Sequence, residues 1–381
     1  TDSWADDPNV FVRIPNTFLV GGTNYTTTSL TGFHDFDTLR WMDIPDSLTA
    51  IPPTSVTGGQ RGAFENCPIL EQVNISKGVK DLGAHTFANC PKLTNILYDA
   101  KKADGSNWDD LVFTGAGNGK LRLTISENVE ELPTYGIAST SSSRAKIDKL
   151  IWSNNNNCHS IGNSCFTYTD INKSQVITGY DENDDPIYSD ENVFTLPEGI
   201  RTISDYAFAG SSCPLSKIHF PSTVTSISPN AFEKWTNLTE FNIPHGTLLE
   251  PGAFTGCSNI SNIDTSESTR YDFQSGCLTI PEDDTLVLAT KSYEGIPSGI
   301  TILANNSFDA LSSLTSIDLN GVTTVGQQTF RDCPNLISVA MTNNTVQSLG
   351  NQAFYNCINL SNVTLSTNIS EIPAYAFYGT K

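Results

Sequence analysis

The sequence predicts an α/β solenoid, with short helices on one side and a parallel sheet on the other. Three observations predict it. In Ala63-Phe64-Glu65-Asn66-Cys67-Pro68-Ile69-Leu70, the Ala, Phe, Cys and Leu side chains fall on one side of a short helix. Val73 and Ile75 then share one face of a strand, and Val79 with Leu82 forms a return segment. The whole block recurs: Phe87 opens the next copy 23 residues on, with Cys90 and Leu93 at the same offsets. Self-similarity at such a period is the signature of a stacked repeat array, in which no unit buries its apolar face alone.

Along the chain, residues 1–31 carry Trp4, Phe11, Val12, Ile14, Phe18 and Leu19 among polar residues and read as an N-terminal cap. Residues 32–98 hold regular repeats: a first one in which Phe33, Phe36 and Leu39 precede a strand at Met42-Asp43-Ile44-Pro45, then those of Phe64 and Phe87. Residues 99–192 are degenerate. Phe113, Leu121, Leu123, Ile147 and Phe166 keep fragments of the pattern, and insertions such as Ser139-Thr140-Ser141-Ser142-Ser143 and Asn154-Asn155-Asn156-Asn157 stretch it. Val176-Ile177-Thr178 and Ile187-Tyr188 flank an acidic turn and predict a β-hairpin. Regular repeats return over 193–265 at Phe208, Phe232 and Phe254. Residues 266–300 predict an inserted strand pair, Tyr271 to Ile280 and Thr285 to Ala289. Residues 301–381 repeat again at Phe308, Phe330, Phe354 and Phe377, and Tyr375, Phe377 and Tyr378 are available to close the stack if the chain ends there natively.

The 381 residues carry 41 acidic and 21 basic side chains, a formal charge of −20. Such a surface repels nucleic acid and anionic membrane, so neither is an expected partner. No apolar run reaches the roughly 18 residues of a membrane span. The chain opens on Thr1, so any targeting segment is expected to have been removed. Abundant Asn, Ser and Thr with few Lys and Arg suit a secreted or surface-exposed protein.

Stacked coils align each phenylalanine with the next, and burying one such side chain contributes roughly 1.5–3 kcal/mol. Helices are wider than strands, so the array is expected to curve with its sheet on the concave face. A right-handed winding follows from the handedness of parallel crossovers. Ala-Phe-x-x-Cys-x-x-Leu, then a strand, then Val-x-x-Ile, resembles the BspA-like (Treponema pallidum-type) leucine-rich repeat family. Ala231-Phe232, Leu238 and Phe241-Asn242-Ile243-Pro244 carry the pattern, as do Phe330, Cys333 and Leu336, and Ala353-Phe354, Cys357 and Leu360. Ile296-Pro297-Ser298-Gly299-Ile300-Thr301-Ile302-Leu303 resembles the end of an interruption common in that family. The resemblance implies surface display, with adhesion to or recognition of host or matrix proteins.

Chemistry is sparse. Cys67, Cys90, Cys257, Cys333 and Cys357 share one repeat slot that Phe36, Trp235 and Leu311 also fill, so they read as buried free thiols. A bridge between neighbours such as Cys67 and Cys90 stays open. Cys158-His159 with Cys165 lacks a fourth zinc ligand. Asp181-x-Asn183-x-Asp185 begins like a calcium loop but continues with Pro186 where glycine belongs and Asn192 where Glu belongs. His34, His85, His159, His219 and His245 are scattered without nucleophile or acid partners. No cofactor, metal site or catalytic activity is expected. The ten Asn-x-Ser/Thr sequons matter only in a glycosylating host.

Strand residues between the apolar ones form the expected binding face: Gln72 and Asn74, Asn95, Lys217 and His219, Glu240 and Asn242, Asn262 and Asp264, Ser316 and Asp318, Asn362 and Thr364. Phe33, Phe64, Phe87, Phe208, Phe232, Phe254, Phe308, Phe330, Phe354 and Phe377 form the expected spine. The face is polar and lacks the aromatic anchors that interfaces favour. A patch on the loops at 140–190 or 266–295, with Tyr168, Tyr180, Tyr188 and Tyr271, is the alternative place. A monomeric module for a protein ligand is the leading reading. A glycan-binding or carbohydrate-processing accessory and a passive surface spacer are the alternatives.

Overall fold

Each repeat wraps around its phenylalanine as a pair of tight turns. The computed structural model describes residues 10–20, 22–56, 59–101, 112–139, 141–142 and 144–381; Trp4, Thr140 and Ser143 lie outside them. Among the described residues, helix is confined to two three-residue 3-10 segments, Gly117–Gly119 and Pro281–Asp283. The expected short helices are therefore replaced, and the cause is backbone conformation. In most repeats the residues two before and two after the phenylalanine sit in the left-handed region. Around Phe308 they are Asn306 (φ 58°) and Ala310 (φ 56°); around Phe330, Gln328 and Asp332; around Phe232, Asn230 and Lys234. A right-handed helix cannot pass through such residues, which cost about 1–2 kcal/mol each when they carry a Cβ.

Hydrogen bonds to the next coil offset that cost. Asn306, Phe308 and Ala310 donate N–H to the carbonyls of Gln327, Thr329 and Arg331 at 3.0, 2.8 and 2.8 Å. The intervening N–H groups of Asp309 and Leu311 close turns onto Asn306 and Phe308. Donors that a helix would satisfy internally thus tie one coil to its neighbour. The result is a parallel-strand β-solenoid in which the turn side, like the strand side, is a ladder.

Two compact units are present, residues 1–215 and 216–381. In the first, a parallel ladder runs through Val10–Arg13, Leu39–Asp43, Gln72–Ile75, Asn95–Tyr98, Leu121–Ile125, Lys146–Trp152 and Asp170–Tyr180, ending on antiparallel Pro186–Tyr188. Met42, Val73, Ile96, Leu123 and Leu150 occupy one register line and point inward, all buried. Rings of Phe33, Phe64, Phe87 and Phe113 stack behind them with centroids 5.5, 5.4 and 5.6 Å apart. Phe166 stacks on Phe208 at 5.0 Å. Short return strands Glu131–Leu132, Ser160–Ile161 and Thr202–Ile203 form a second ladder.

In the second unit, Lys217–His219, Glu240–Asn242 and Asn262–Asp264 pair in parallel, as do Ser316–Asp318, Ser338–Ala340 and Asn362–Thr364. Phe232 stacks on Phe254 at 5.4 Å, and Phe308, Phe330, Phe354 and Phe377 follow one another at 4.9, 5.0 and 5.2 Å. The insertion is a three-stranded antiparallel meander rather than a strand pair: Asp272–Gln274, Cys277–Ile280 and Thr285–Ala289. Its first turn, Ser275-Gly276, has both central residues at positive φ, 50° and 72°, the conformation that suits a tight hairpin. A Cβ at Gly276 would lie 2.3 Å from the Ser292 carbonyl carbon, so only glycine fits. Thr285–Ala289 then pairs with Ile302–Leu303, joining the meander to the return ladder.

All nine cysteines are free and buried. The five in the shared slot do more than fill space. Each donates its thiol to the carbonyl of the preceding coil's phenylalanine: Cys90 to Phe64 (3.1 Å), Cys257 to Phe232 (3.1 Å), Cys333 to Phe308 (3.1 Å) and Cys357 to Phe330 (3.0 Å), with Cys67 to Phe33 at 3.2 Å.

Candidate functional site

Strand alternation turns every second side chain outward, and parallel pairing lines those side chains up across the coils, about 4.8 Å apart. In the first unit one such row reads Phe11, Trp41, Gln72, Asn95, Arg122, Lys149, Lys173. The next row reads Arg13, Asp43, Asn74, Leu97 and Thr124, and its continuation, Ile151 and Gln175, is buried. One end of the first row is aromatic. Trp41 is 46 % exposed, and its ring meets that of Phe11 edge-on at 6.0 Å. The Arg13 guanidinium lies 5.9 Å over the Phe11 ring and also bonds the Asp43 carboxylate. Asn74 donates to the same carboxylate at 2.6 Å.

The other end is cationic. Arg122 and Lys149 have no carboxylate within ion-pair distance among the described residues, while Lys173 meets Glu191 at 2.5 Å. That lysine holds the Glu191 carboxyl below its usual range, by hydrogen bond first and charge second, with Lys149 adding to the effect. Three cations on adjacent strands are notable in a chain of net charge −20.

Gln72, Asn74 and Asn95 therefore lie side by side on this face, between an aromatic anchor and a basic stripe. Trp41, Arg122, Lys149 and Lys173 were not among the residues expected from sequence. Trp41 escaped because Leu39 and Met42, the buried residues of its strand, are three apart: a register shift at Val10/Phe11 breaks the alternation. The cations escaped because insertions hide the strand register between residues 99 and 192.

The outward residues of the second unit are differently placed. Lys217 and Glu240 neutralise each other at 3.0 Å. Both Asn242 amide atoms are engaged by the Phe220 peptide, accepting from its N–H at 2.7 Å and donating to its carbonyl at 2.9 Å. Asp264 accepts the Ser266 N–H, and bonds from Ser266 hold its carboxyl below the ordinary aspartate range. His219 and Asn262 are exposed beside them. Ser316 and Asp318, and Asn362 and Thr364, are also exposed, and Asp318 accepts the N–H of Asn320 at 2.9 Å. Of the loop tyrosines, Tyr180 is exposed, Tyr188 half-buried, and Tyr168 lies under the Arg144 guanidinium at 5.8 Å. Tyr271 is buried instead, its hydroxyl accepting the Leu249 N–H at 2.9 Å, so it presents no anchor.

Among the described residues no group of three or more His, Cys, Asp or Glu side chains is placed to hold a metal ion. Among the same residues no helix is long and apolar enough to cross a membrane.

Regular coils of 22–24 residues, a parallel strand ladder and a phenylalanine spine define a leucine-rich repeat solenoid. A profile of the BspA type leucine rich repeat region matches residues 23–141, 60–193, 188–279 and 291–381. The chain belongs to that family. No curated protein matches it. Among solved structures it is similar to a leucine-rich cell surface protein of Faecalibacterium prausnitzii A2-165, at 18 % identity over 96 % of this chain and 81 % of that one, with a TM-score of 0.46. A leucine-rich repeat protein of Bacteroides ovatus aligns at 18 % identity over 97 % and 92 %, TM-score 0.42. The pneumococcal vaccine antigen PcpA aligns at 15 % identity over 95 % and 73 %, TM-score 0.43.

Proposed function

We propose that this chain is a surface-displayed or secreted protein-interaction module. It engages a host or matrix protein through the outward strand face of its first unit. The single observation that carries the reading is the in-register row from Trp41 to Lys173. Exposed tryptophan and arginine are the side chains that dominate interface energetics. The cations at the far end supply electrostatic attraction for an acidic patch on the partner, which speeds encounter more than it deepens affinity. Gln72 and Asn95 supply hydrogen bonds between the two, and Asn74, engaged by Asp43 and Gln72, holds them in place. Membership of the BspA-type leucine-rich repeat family supports both the interaction role and the surface location.

Surface plasmon resonance against extracellular-matrix and mucin proteins tests it. For a ligand that binds, Trp41→Ala should weaken affinity at least tenfold by speeding dissociation, and Arg122→Ala with Lys149→Ala should slow association and flatten its salt dependence. Binding that survives all three changes but fails after Lys217→Ala, His219→Ala and Glu240→Ala would move the site to the second unit. One observation favours the glycan-binding alternative: Tyr375 and Tyr378 are 63 % and 59 % exposed, and Tyr378 stacks on Tyr355 at 5.2 Å, an aromatic platform of the kind that takes a sugar ring. Retained glycan binding in the Trp41→Ala variant, lost on Tyr378→Ala, would support it.

A further inference from the structure

The strand ladder of the second unit has a break. After Asn262–Asp264 the next outward strand is Ser316–Asp318, which among the described residues pairs with Ser338–Ala340 alone. The coil between them is short. Ala289 stands where a spine phenylalanine would, its N–H bonded to the Ser307 carbonyl at 2.7 Å as that of Phe308 is to Thr329. Thirteen residues then separate Ala289 from the return strand at Ile302, against sixteen between Phe308 and Thr324. The missing residues are those that would form an outward strand. In their place Tyr293 closes a turn onto Thr290, and the Glu294 N–H bonds the Ser275 carbonyl of the meander at 3.0 Å.

The edge left behind is a usable one. Leu319 donates its N–H to Ala340 in the following coil at 2.8 Å. Alternation turns the peptide groups of Ile317 the same way and those of Ser316 and Asp318 the opposite way, toward the short coil. Among the described residues no backbone group of that coil bonds them. Between them lies a groove of about 530 Å³, with Tyr293, Glu294, Gly295 and Ile296 on one wall and Ser316 and Asp318 on the other. Its charged lining residues are Glu294 and Asp318, and no Lys, Arg or His lines it. Unpaired strand edges are templates for another strand, and natural proteins ordinarily blunt them with charge, proline or a covering loop. Here Asp318 makes the edge selective for cations without covering it.

We propose that this groove accepts an extended basic segment of a partner protein, which adds the absent strand to the ladder. Its backbone pairs with Ser316 and Asp318. Its side chains alternate, apolar ones toward Tyr293 and Ile296 and lysines or arginines toward Asp318 and Glu294, because successive strand residues point to opposite faces. The site lies wholly in the second unit and stands or falls separately from the Trp41 face.

The test uses the full chain and a fluorescein-labelled heptapeptide of alternating lysine and valine, read by anisotropy. Two isomers N-methylated on alternate residues, one in each phase, keep the charge and remove one set of backbone donors. One isomer should bind at least tenfold more weakly than the parent, and the other much as the parent does. Ser316→Pro removes a donor that has no partner among the described residues, and should weaken the parent peptide at least tenfold with the melting curve unchanged. Asp318→Asn with Glu294→Gln should weaken it several-fold. Equal binding by both isomers and the parent would mean attraction to net negative charge alone and overturn the proposal, as would no binding at all. Should Ser316→Pro fail to fold, the two isomers decide the matter on the unaltered chain.

Discussion

The outward faces of the two units follow one rule and reach different results. In the first, Arg122 and Lys149 stand in consecutive positions of one row with no carboxylate in ion-pair reach among the described residues, Lys173 beside them is paired with Glu191, and Trp41 stands exposed at the other end. In the second, Lys217 is paired with Glu240 on the next strand, and Asn242 spends both amide atoms on the Phe220 peptide. Alternation decides which residues point to solvent. Cross-strand neighbours decide which of them remain available to a ligand. A polar residue on a solenoid face is therefore a candidate contact only after its register partners are known.

The comparison can be broken hardest at the spine. Phe87→Ala in the first unit and Phe330→Ala in the second each remove a fully buried ring packed between two others, and each should cost about 3–5 kcal/mol in chemical denaturation. Fluorescence of Trp152 and Trp41 in the first unit, set against Trp235 in the second, should show each loss beginning in the unit that carries the change.

Alkaline pH acts next. Burial pushes the thiols of Cys158, Cys213 and Cys277 up to about 12. Unfolded, these thiols ionise near pH 8.5, so above that value the unfolded state binds fewer protons and gains on the native one. Their stabilisation is complete below pH 8.5 and declines toward pH 12, by about 1.4 kcal/mol per pH unit for each thiol. Urea midpoints measured from pH 8 to 11 should fall accordingly, more for the first unit, which holds two of the three. At pH 8 the native chain should show almost no reaction with a thiol reagent, and nine equivalents once unfolded.

Asn242→Ala and Asn95→Ala sharpen the contrast between faces. The first strands the N–H and carbonyl of Phe220 and should cost about 1–3 kcal/mol. The second removes an exposed side chain and should stay within about 0.5 kcal/mol. The smallest expected effect concerns the turns. Ala310→Gly relieves a left-handed residue and should stabilise the fold by about 1 kcal/mol. Were that segment helical, the same change would destabilise it by a similar amount.

The period, the phenylalanine spine and the inward half of each strand are legible in the sequence, because apolar side chains at fixed offsets leave a pattern that survives polar variation. The double turn is not. Its left-handed positions hold Asn and Gly often enough to hint at it, but His85, Tyr206, Lys234 and Gln352 fill them too. Here the inter-coil hydrogen bonds, rather than local preference, hold the conformation. The basic row is invisible for another reason. Arg122, Lys149 and Lys173 lie at unequal distances along the chain, and only strand pairing brings them into line.

The turn-side ladder has a consequence for how order spreads. Because the amides of Asn306, Phe308 and Ala310 find their acceptors one coil away, a solitary repeat would leave them bare. Structure should accordingly advance by accretion, each wrap templated on one already laid down, and retreat by peeling from an exposed wrap inward.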